Sequence, residues 1–325
     1  MSDMPPPLGA DILALADGMM NYEKRLLEKR ASGGVFLATD RLIDREIHVK
    51  HVAWKFFAES NVAERNEIWI DGVLGVVFHG NEKNEAGVEG TRVNYQLKGD
   101  KNVSQDTFFE MGLTEAARWH FAWLTDPNVF IDSASIDMEF ASELMMDRRK
   151  FRVKHLNMSV QSNYIAIQGW LQHMDARMES FIFRGMGVLD ANKFLVLPFA
   201  LKLKKLMLVH ESSFDDRTLN LLTAGHIQIA SDSITDEGIN RCLHRWCDAD
   251  YPIRSAFVIY MRIRSTDKIF ARLDVQEVVI QDNGVSEFLI QMPNPNKRMR
   301  VICRPSSVVC TVFAISNNIA ECERL

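Results

Sequence analysis

Cys242, His244, Cys247, Asp248 and Asp250 form the densest group of metal-ligand residue types in the chain. The chemistry such a group would support is zinc binding. Zinc sites take ligands at short fixed spacings and close a tetrahedron with a second pair. No second Cys/His pair lies near this one. On a helix, Cys242 would share the apolar stripe of Trp246 while His244 points elsewhere, so Cys242 reads as a small core residue. A second candidate is Arg184-Gly185-Met186-Gly187-Val188-Leu189-Asp190, a glycine turn between a strand pattern and a helix pattern. A dinucleotide fingerprint occupies that position in other chains. Here Asp190 stands where the third glycine belongs. Its carboxylate would repel a pyrophosphate at the helix N-terminus, and a helix cap is its expected role. His210-Glu211-Ser212-Ser213 lacks the second histidine of a zinc-protease helix, and no nucleophile elbow or P-loop occurs. The residues therefore predict no catalytic, metal-binding or cofactor-binding set, and no cofactor.

The elements that would position any site alternate in type. Short β-type runs recur at Ile136-Asp137-Met138, Leu156-Asn157-Met158, Phe181-Ile182-Phe183, Leu206-Met207-Leu208, Ile227-Gln228-Ile229 and Phe257-Val258-Ile259. Helix-period stretches separate them. Ile167, Trp170, Leu171 and Met174 fall at i, i+3, i+4 and i+7, as do Ile239, Cys242, Leu243 and Trp246, with Thr235 as the N-cap. Shorter helices are expected at 190–197 and 215–222, and another at 114–124. The spacing of the strand cores suits leucine-rich-repeat units, which bury their apolar faces by stacking and present an extended surface. A crossover between strands requires parallel pairing, so the cores should lie side by side with the helices opposite. The outward positions Asp137, Asn157, Ile182, Met207, Gln228 and Val258 are the candidate binding surface.

Flanking this body, His48–Phe57, Glu67–Val77 and Arg92–Leu97 read as antiparallel strands and His79–Gly90 as a polar loop. After residue 270, Val275–Ile280 and Glu287–Met292 flank an Asn283-Gly284 turn, and Arg298–Arg304 and Val308–Ile315 form a further pair. The fold expected is α/β. It has an N-terminal segment over 1–44 and a β-rich N-terminal part over 45–110. An irregular leucine-rich-repeat-like body follows over 111–270, then an antiparallel C-terminal extension and tail over 271–325. Within the N-terminal segment, Ile12–Arg30 has helical spacing and Met1–Pro7 reads as a loose tip.

The 325 residues are 47% hydrophobic and 25% charged, with a formal net charge of −5. That balance provides no global basic field for nucleic acid. Met1–Leu8 is not patterned as a secretory signal, and no run is long enough for a membrane span. The five cysteines, in an odd and unpaired spacing, fit reduced thiols in the cytoplasm or nucleus. Arg148, Arg149, Lys150, Arg152 and Lys154 form one basic run, and Lys202, Lys204 and Lys205 another. Each precedes a strand and reads as a solvated edge or as a basic rim for an acidic partner. The six tryptophans sit mostly on patterned apolar faces and read as core.

The run Leu221-Leu222-Thr223-Ala224-Gly225-His226-Ile227-Gln228-Ile229, followed by Ser233-Ile234-Thr235-Asp236-Glu237-Gly238-Ile239-Asn240-Arg241-Cys242-Leu243-His244-Arg245-Trp246, resembles the nematode F-box-associated domain, type 2. The likeness extends over about residues 110–292. In that family a Thr-led helix carries Asn, Leu and Trp at these relative positions, which implies that Asn240 bonds an adjacent backbone. The resemblance implies a substrate-recruiting subunit of an SCF-type ubiquitin ligase, which holds a target and does no chemistry itself. Family members begin with an F-box that docks a Skp-type adaptor. Here Pro6-Pro7-Leu8 through Leu15 matches only its opening, so adaptor binding is not implied by the residues present. A stand-alone target-binding or decoy protein is the alternative, and an enzyme whose site is built from repeat loops is another. No nucleic acid and no membrane are expected as partners.

Overall fold

The computed structural model describes residues 46–58, 64–97, 100–113, 115–117, 124–138, 150–160, 170–185, 187–280 and 284–315. The helical pattern at Ile12–Arg30, the N-terminal tip, Trp119, Trp123, Arg148, Arg149, Ile167, Asn283 and the tail from Asn317 lie outside them. Strands make up 49% and helices 18% of the structure, so it is mostly β, with mixed sheets and few helices. The described residues fall into two compact units. One runs to residue 185 and includes 197–199, and the other holds 187–196 and everything from 200 onward.

The first unit contains β1 (Ile47–Ala58), β2 (Glu64–Ile70), β3 (Leu74–Lys83), β4 (Glu89–Leu97), β5 (Asp100–Phe109), β6 (Val129–Met138), β7 (Val153–Val160) and β8 (Ser180–Gly185). Strands β6, β7 and β8 pair in parallel, as their crossovers require. So does β1 with β6, a pairing that the sequence reading did not anticipate. Strands β1 to β5 then form an antiparallel meander.

Two expectations in this region need correction. Glu67–Val77 is two strands, because Asp71 and Gly72 take positive φ of 50° and 66° and turn the chain. Two such residues make the hairpin turn whose twist matches its strands. His79–Gly90 is mostly strand: β3 continues to Lys83 and β4 starts at Glu89. The turn between them closes on Asn84, whose Oδ1 accepts from the N–H groups of Ala86 (3.0 Å) and Val88 (2.9 Å). Polar side chains persist into this hairpin because ion pairs cross it, Lys83 with Glu89 and Arg92 with Glu82.

The second unit holds β9 (Lys205–Glu211), β10 (His226–Ala230), β11 (Ala256–Tyr260), β12 (Val275–Ile280), β13 (Ser286–Gln291), β14 (Lys297–Arg304) and β15 (Ser307–Ala314). Strands β9, β10 and β11 are parallel, as expected. The C-terminal four form the expected antiparallel ribbon, and β15 joins it to β11. Its helices are α1 (Ala191–Leu195), α2 (Asp216–Leu221), α3 (Asp236–Asp248) and α4 (Thr266–Ile269).

Helix α3 forms where the sequence predicts it. Thr235 Oγ1 accepts from Gly238 N–H (3.2 Å), and Ile239, Cys242, Leu243 and Trp246 are buried. Trp246 meets the ring of Phe257 on β11 edge-on at 5.0 Å, which places α3 on the buried side of that strand. Asn240 Nδ2 donates to the carbonyls of Ile269 and Ala271, both at 2.9 Å, tying α3 to the end of α4. The backbone bond inferred for Asn240 is therefore present.

Gly238 sits inside the helix start for a steric reason. A Cβ there would lie 2.0 Å from Asp216 Oδ1. Asp216 is held in place, since it accepts from Thr235 N–H (2.8 Å), Thr235 Oγ1 (2.7 Å) and Arg241 (2.8 Å). Gly238→Ala should therefore destabilise the fold by about 1 kcal/mol or more. Overpacking costs about 1–3 kcal/mol, against a gain of about 1 kcal/mol in helix propensity. Urea unfolding of the variant checks this, and an increase in stability would refute the account.

Candidate functional site

In the first unit the in–out alternation of β1, β6 and β7 slips by one residue at the same level. Lys50-His51, Asp132-Ser133 and Lys154-His155 are successive side chains that are not buried, between buried Val49 and Val52, Ile131 and Ala134, and Val153 and Leu156. Beyond this slip the open face carries rows set by register. His51, Ser133, His155 and Ser180 form one. Ala53, Ser135, Asn157 and Ile182 form the next, followed by Lys55, Asp137, Ser159 and Arg184. Of the predicted surface residues, Asn157 and Ile182 are direct neighbours and Asp137 lies one row away. Arg184 donates to Asn157 Oδ1 at 2.5 Å. This face is mainly polar, with Ser180 buried at one end of its first row.

Ser133 and His51 approach to 2.8 Å, which resembles a nucleophile beside a base. The hydroxyl, however, donates to the carbonyl of Lys50 at 2.9 Å. His51 Nδ1 must then be the donor to Ser133, so it cannot take the serine proton.

Below the slip lies a cavity of about 280 Å³ lined by His48, Phe130, Arg152, Lys154, Asp175 and Arg177, among others. His48 stacks on Phe130 at 5.4 Å. The Arg152 and Arg177 guanidinium carbons lie 5.3 and 5.0 Å from the same ring centre. Arg177 also holds Asp175 through two bonds of 3.1 and 3.3 Å. Burial raises the Asp175 carboxyl, but the bonds from Arg177 and the charges of Arg177 and Arg152 outweigh it and keep it below the usual carboxylate range. The described members of the basic run make local contacts. Lys150 donates to the Gln172 carbonyl (2.7 Å), Arg152 to that of Pro127, and Lys154 faces Glu179 at 3.9 Å.

The second unit is different. Met207, Gln228 and Val258 lie in a single register row, Met207 beside Gln228 and Gln228 beside Val258. The row continues through Val309 to Ile302 and Glu287. All six are half-buried, while Leu206, Ile227, Phe257, Val308 and Val301 on the opposite side are fully buried. A stripe crossing five strands, apolar except for Gln228, is therefore turned away from the helices. Its β14 and β15 members were not foreseen, because the pairing of β11 with β15 has no short-range signal. The period-2 pattern of Arg298, Arg300, Ile302 and Arg304 was the trace available in the sequence.

The other candidates take structural roles. Asp190 accepts from Asn192 and Lys193 N–H (3.0 and 3.2 Å) and caps α1. Gly185 is packed against Phe183, whose ring a Cβ would meet at 2.3 Å. Ser212 Oγ donates to the Ala230 carbonyl (2.8 Å), and Ser213 Oγ accepts from Ala191 N–H (2.9 Å). His244 Nε2 lies 3.1 Å from the Ala271 carbonyl. Lys297 donates to Asp250 at 3.0 Å, which holds that carboxyl low. Among the described residues no three His, Cys, Asp or Glu side chains converge as metal ligands. Trp54, Trp170 and Trp246 are buried, as expected for core, whereas Trp69 is half-exposed and lies over Gly75.

Cys242, Cys247, Cys303 and Cys310 are buried free thiols. Burial pushes Cys242 and Cys247 up to about 11 and Cys303 to about 12, and Cys310 well above the ordinary range. The reactive species is the thiolate. At pH 7.5 the native chain should therefore show at most one fast-reacting thiol with Ellman's reagent, from Cys322, and all five after denaturation. Rapid labelling of Cys242 would contradict the burial described.

No family model, curated protein or solved structure matches the chain. No described helix is long and apolar enough to cross a membrane.

Proposed function

We propose that the chain is a protein-interaction module that holds a target on the open face of its sheets and performs no chemistry itself. The observation that carries this reading is the single row of Met207, Gln228, Val258, Val309 and Ile302, half-buried and facing away from the helices. A row of mainly apolar side chains across a sheet is a surface that macromolecular partners cover. In this reading the parallel strand–helix units act as degenerate leucine-rich-repeat-like units whose shared face is the docking surface. The resemblance of residues 221–246 to the F-box-associated family is what supports reading the module as one of the subunits that bring substrates to SCF-type ubiquitin ligases. Stand-alone target binding in the cytoplasm or nucleus is the second reading.

A photo-crosslinking residue placed in turn at Val258, Ile302, Asp137 and Asn157 of the full chain tests the surface. Discrete adducts are expected at Val258 and Ile302. Adducts confined to Asp137 and Asn157, or absent throughout, would overturn the reading. Mixing the full chain with a purified Skp-type adaptor separates the ligase subunit from the stand-alone protein.

A further inference from the structure

We infer that the segment docking on the second unit's open stripe is acidic as well as apolar, an extended or helical protein segment that alternates carboxylates with aliphatic side chains. This rests on the docking reading above and specifies its partner. The chain as a whole is negative, at −5, yet the face around the stripe is not. Strand β14 turns Arg298, Arg300, Ile302 and Arg304 outward, while Met299, Val301 and Cys303 between them are buried. Arg300 is neutralised by a two-point pair with Glu287, at 2.6 and 2.8 Å. Arg298 and Arg304 make no ion pair among the described residues, and the Nε of Arg298 has no acceptor there. Lys205, half-buried, heads the neighbouring row at the far side of the stripe.

Cations therefore flank the apolar row at its β14 end and, through Lys205, at its β9 end, where Glu211 closes the row that starts at Arg304. Arg304 pairs in register with Ser307, which pairs with Tyr260 on one side of the row, and Tyr260 is exposed at 45%. On the other side His226, Ala256, Thr311 and Arg300 run in register, with Arg298 beside Phe313 one row further. Uncompensated cations set around half-buried aliphatic side chains match a partner whose carboxylates flank its apolar residues. A nucleic acid would use the cations and the ring of Tyr260 but leave Met207, Val258, Val309 and Ile302 without apolar contacts.

The test uses the full chain and three fluorescein-labelled peptides of equal length, alternating leucine with glutamate, serine or lysine, together with a single-stranded oligonucleotide. Binding is followed by fluorescence anisotropy at low and high salt. The glutamate peptide should saturate and bind about tenfold or more tightly than the lysine peptide, and should weaken as salt rises. Arg298→Glu with Arg304→Glu should remove that preference, and Val258→Asp should weaken every peptide. Thermal unfolding confirms that the variants fold. If the double variant does not, Arg304→Glu alone, at an exposed position, should lower the preference. Equal binding of the serine and glutamate peptides would sink the acidic partner while leaving the docking surface standing. Failure of all three peptides to bind would remove both. Competition of the oligonucleotide for the glutamate peptide at equal affinity would overturn the inference in favour of nucleic acid.

Discussion

Trp246→Ala is expected to lower the unfolding free energy by about 3–5 kcal/mol, the range for removing a fully buried large aromatic side chain. Trp246 is completely buried on α3. Its ring stacks on Tyr251 at 4.2 Å with an interplanar angle of 10° and meets Phe257 edge-on. Both arrangements are favoured aromatic geometries and add to the area term. Its Nε1–H is buried without an acceptor among the described residues, an unmade bond that already costs stability. Trp246→Phe removes that donor while keeping a ring, so it should cost far less, about 1 kcal/mol. Urea unfolding monitored by far-UV circular dichroism reads both. A loss below about 1 kcal/mol for the alanine variant would mean that α3 does not pack as described.

Asp236→Ala should have the next largest effect, a loss of about 3 kcal/mol. Asp236 is 3% exposed at the first turn of α3. Its carboxylate accepts from Arg264 N–H at 3.2 Å and Ser265 N–H at 2.8 Å, fixing the chain that enters α4. Bonds to a charged acceptor are worth about 1.5–3 kcal/mol, and alanine would leave two backbone donors without a partner. The negative charge also sits at the positive end of α3. Asp236→Asn keeps one acceptor oxygen and should lose about half as much. If the alanine and asparagine variants unfold at the same urea concentration, charge and pairing are not what hold this loop.

Helix α3 was legible in full because every signal for it is local: the Thr235 cap, the apolar stripe at helical spacing, and Asn240 on the adjacent face. Asp190 and Asp215 were placed at helix starts for the same reason, and each caps its helix through its own carboxylate. The parallel order of β6 to β8 and of β9 to β11 followed from crossover length. The strand pairings of β1 with β6 and of β11 with β15 did not, since alternation identifies a strand and says nothing about its neighbour. The Asp71-Gly72 turn carried a usable local signal that the apolar run across Glu67–Val77 masked. The half of the candidate surface on β14 and β15 was hidden by the same gap. Its residues join Met207, Gln228 and Val258 only after β15 has found β11.

The pairing of β1 with β6 also sets a timetable. His51 and Ser133 are 82 positions apart and hydrogen-bonded. Synthesis proceeds at about 5–20 residues per second, so β1 emerges from the ribosome about 4–16 s before its parallel partner exists. During that interval Val49, Val52 and Trp54, all buried in the finished sheet, have the β2–β5 meander on one edge of β1 and no β6 on the other. The antiparallel ribbon at the other end waits for no such distant strand. Newborn chains should therefore depend on chaperones at the N-terminal unit, and a circular permutant that begins before β6 and carries β1 behind it would still face a wait, only with the order of the partners reversed.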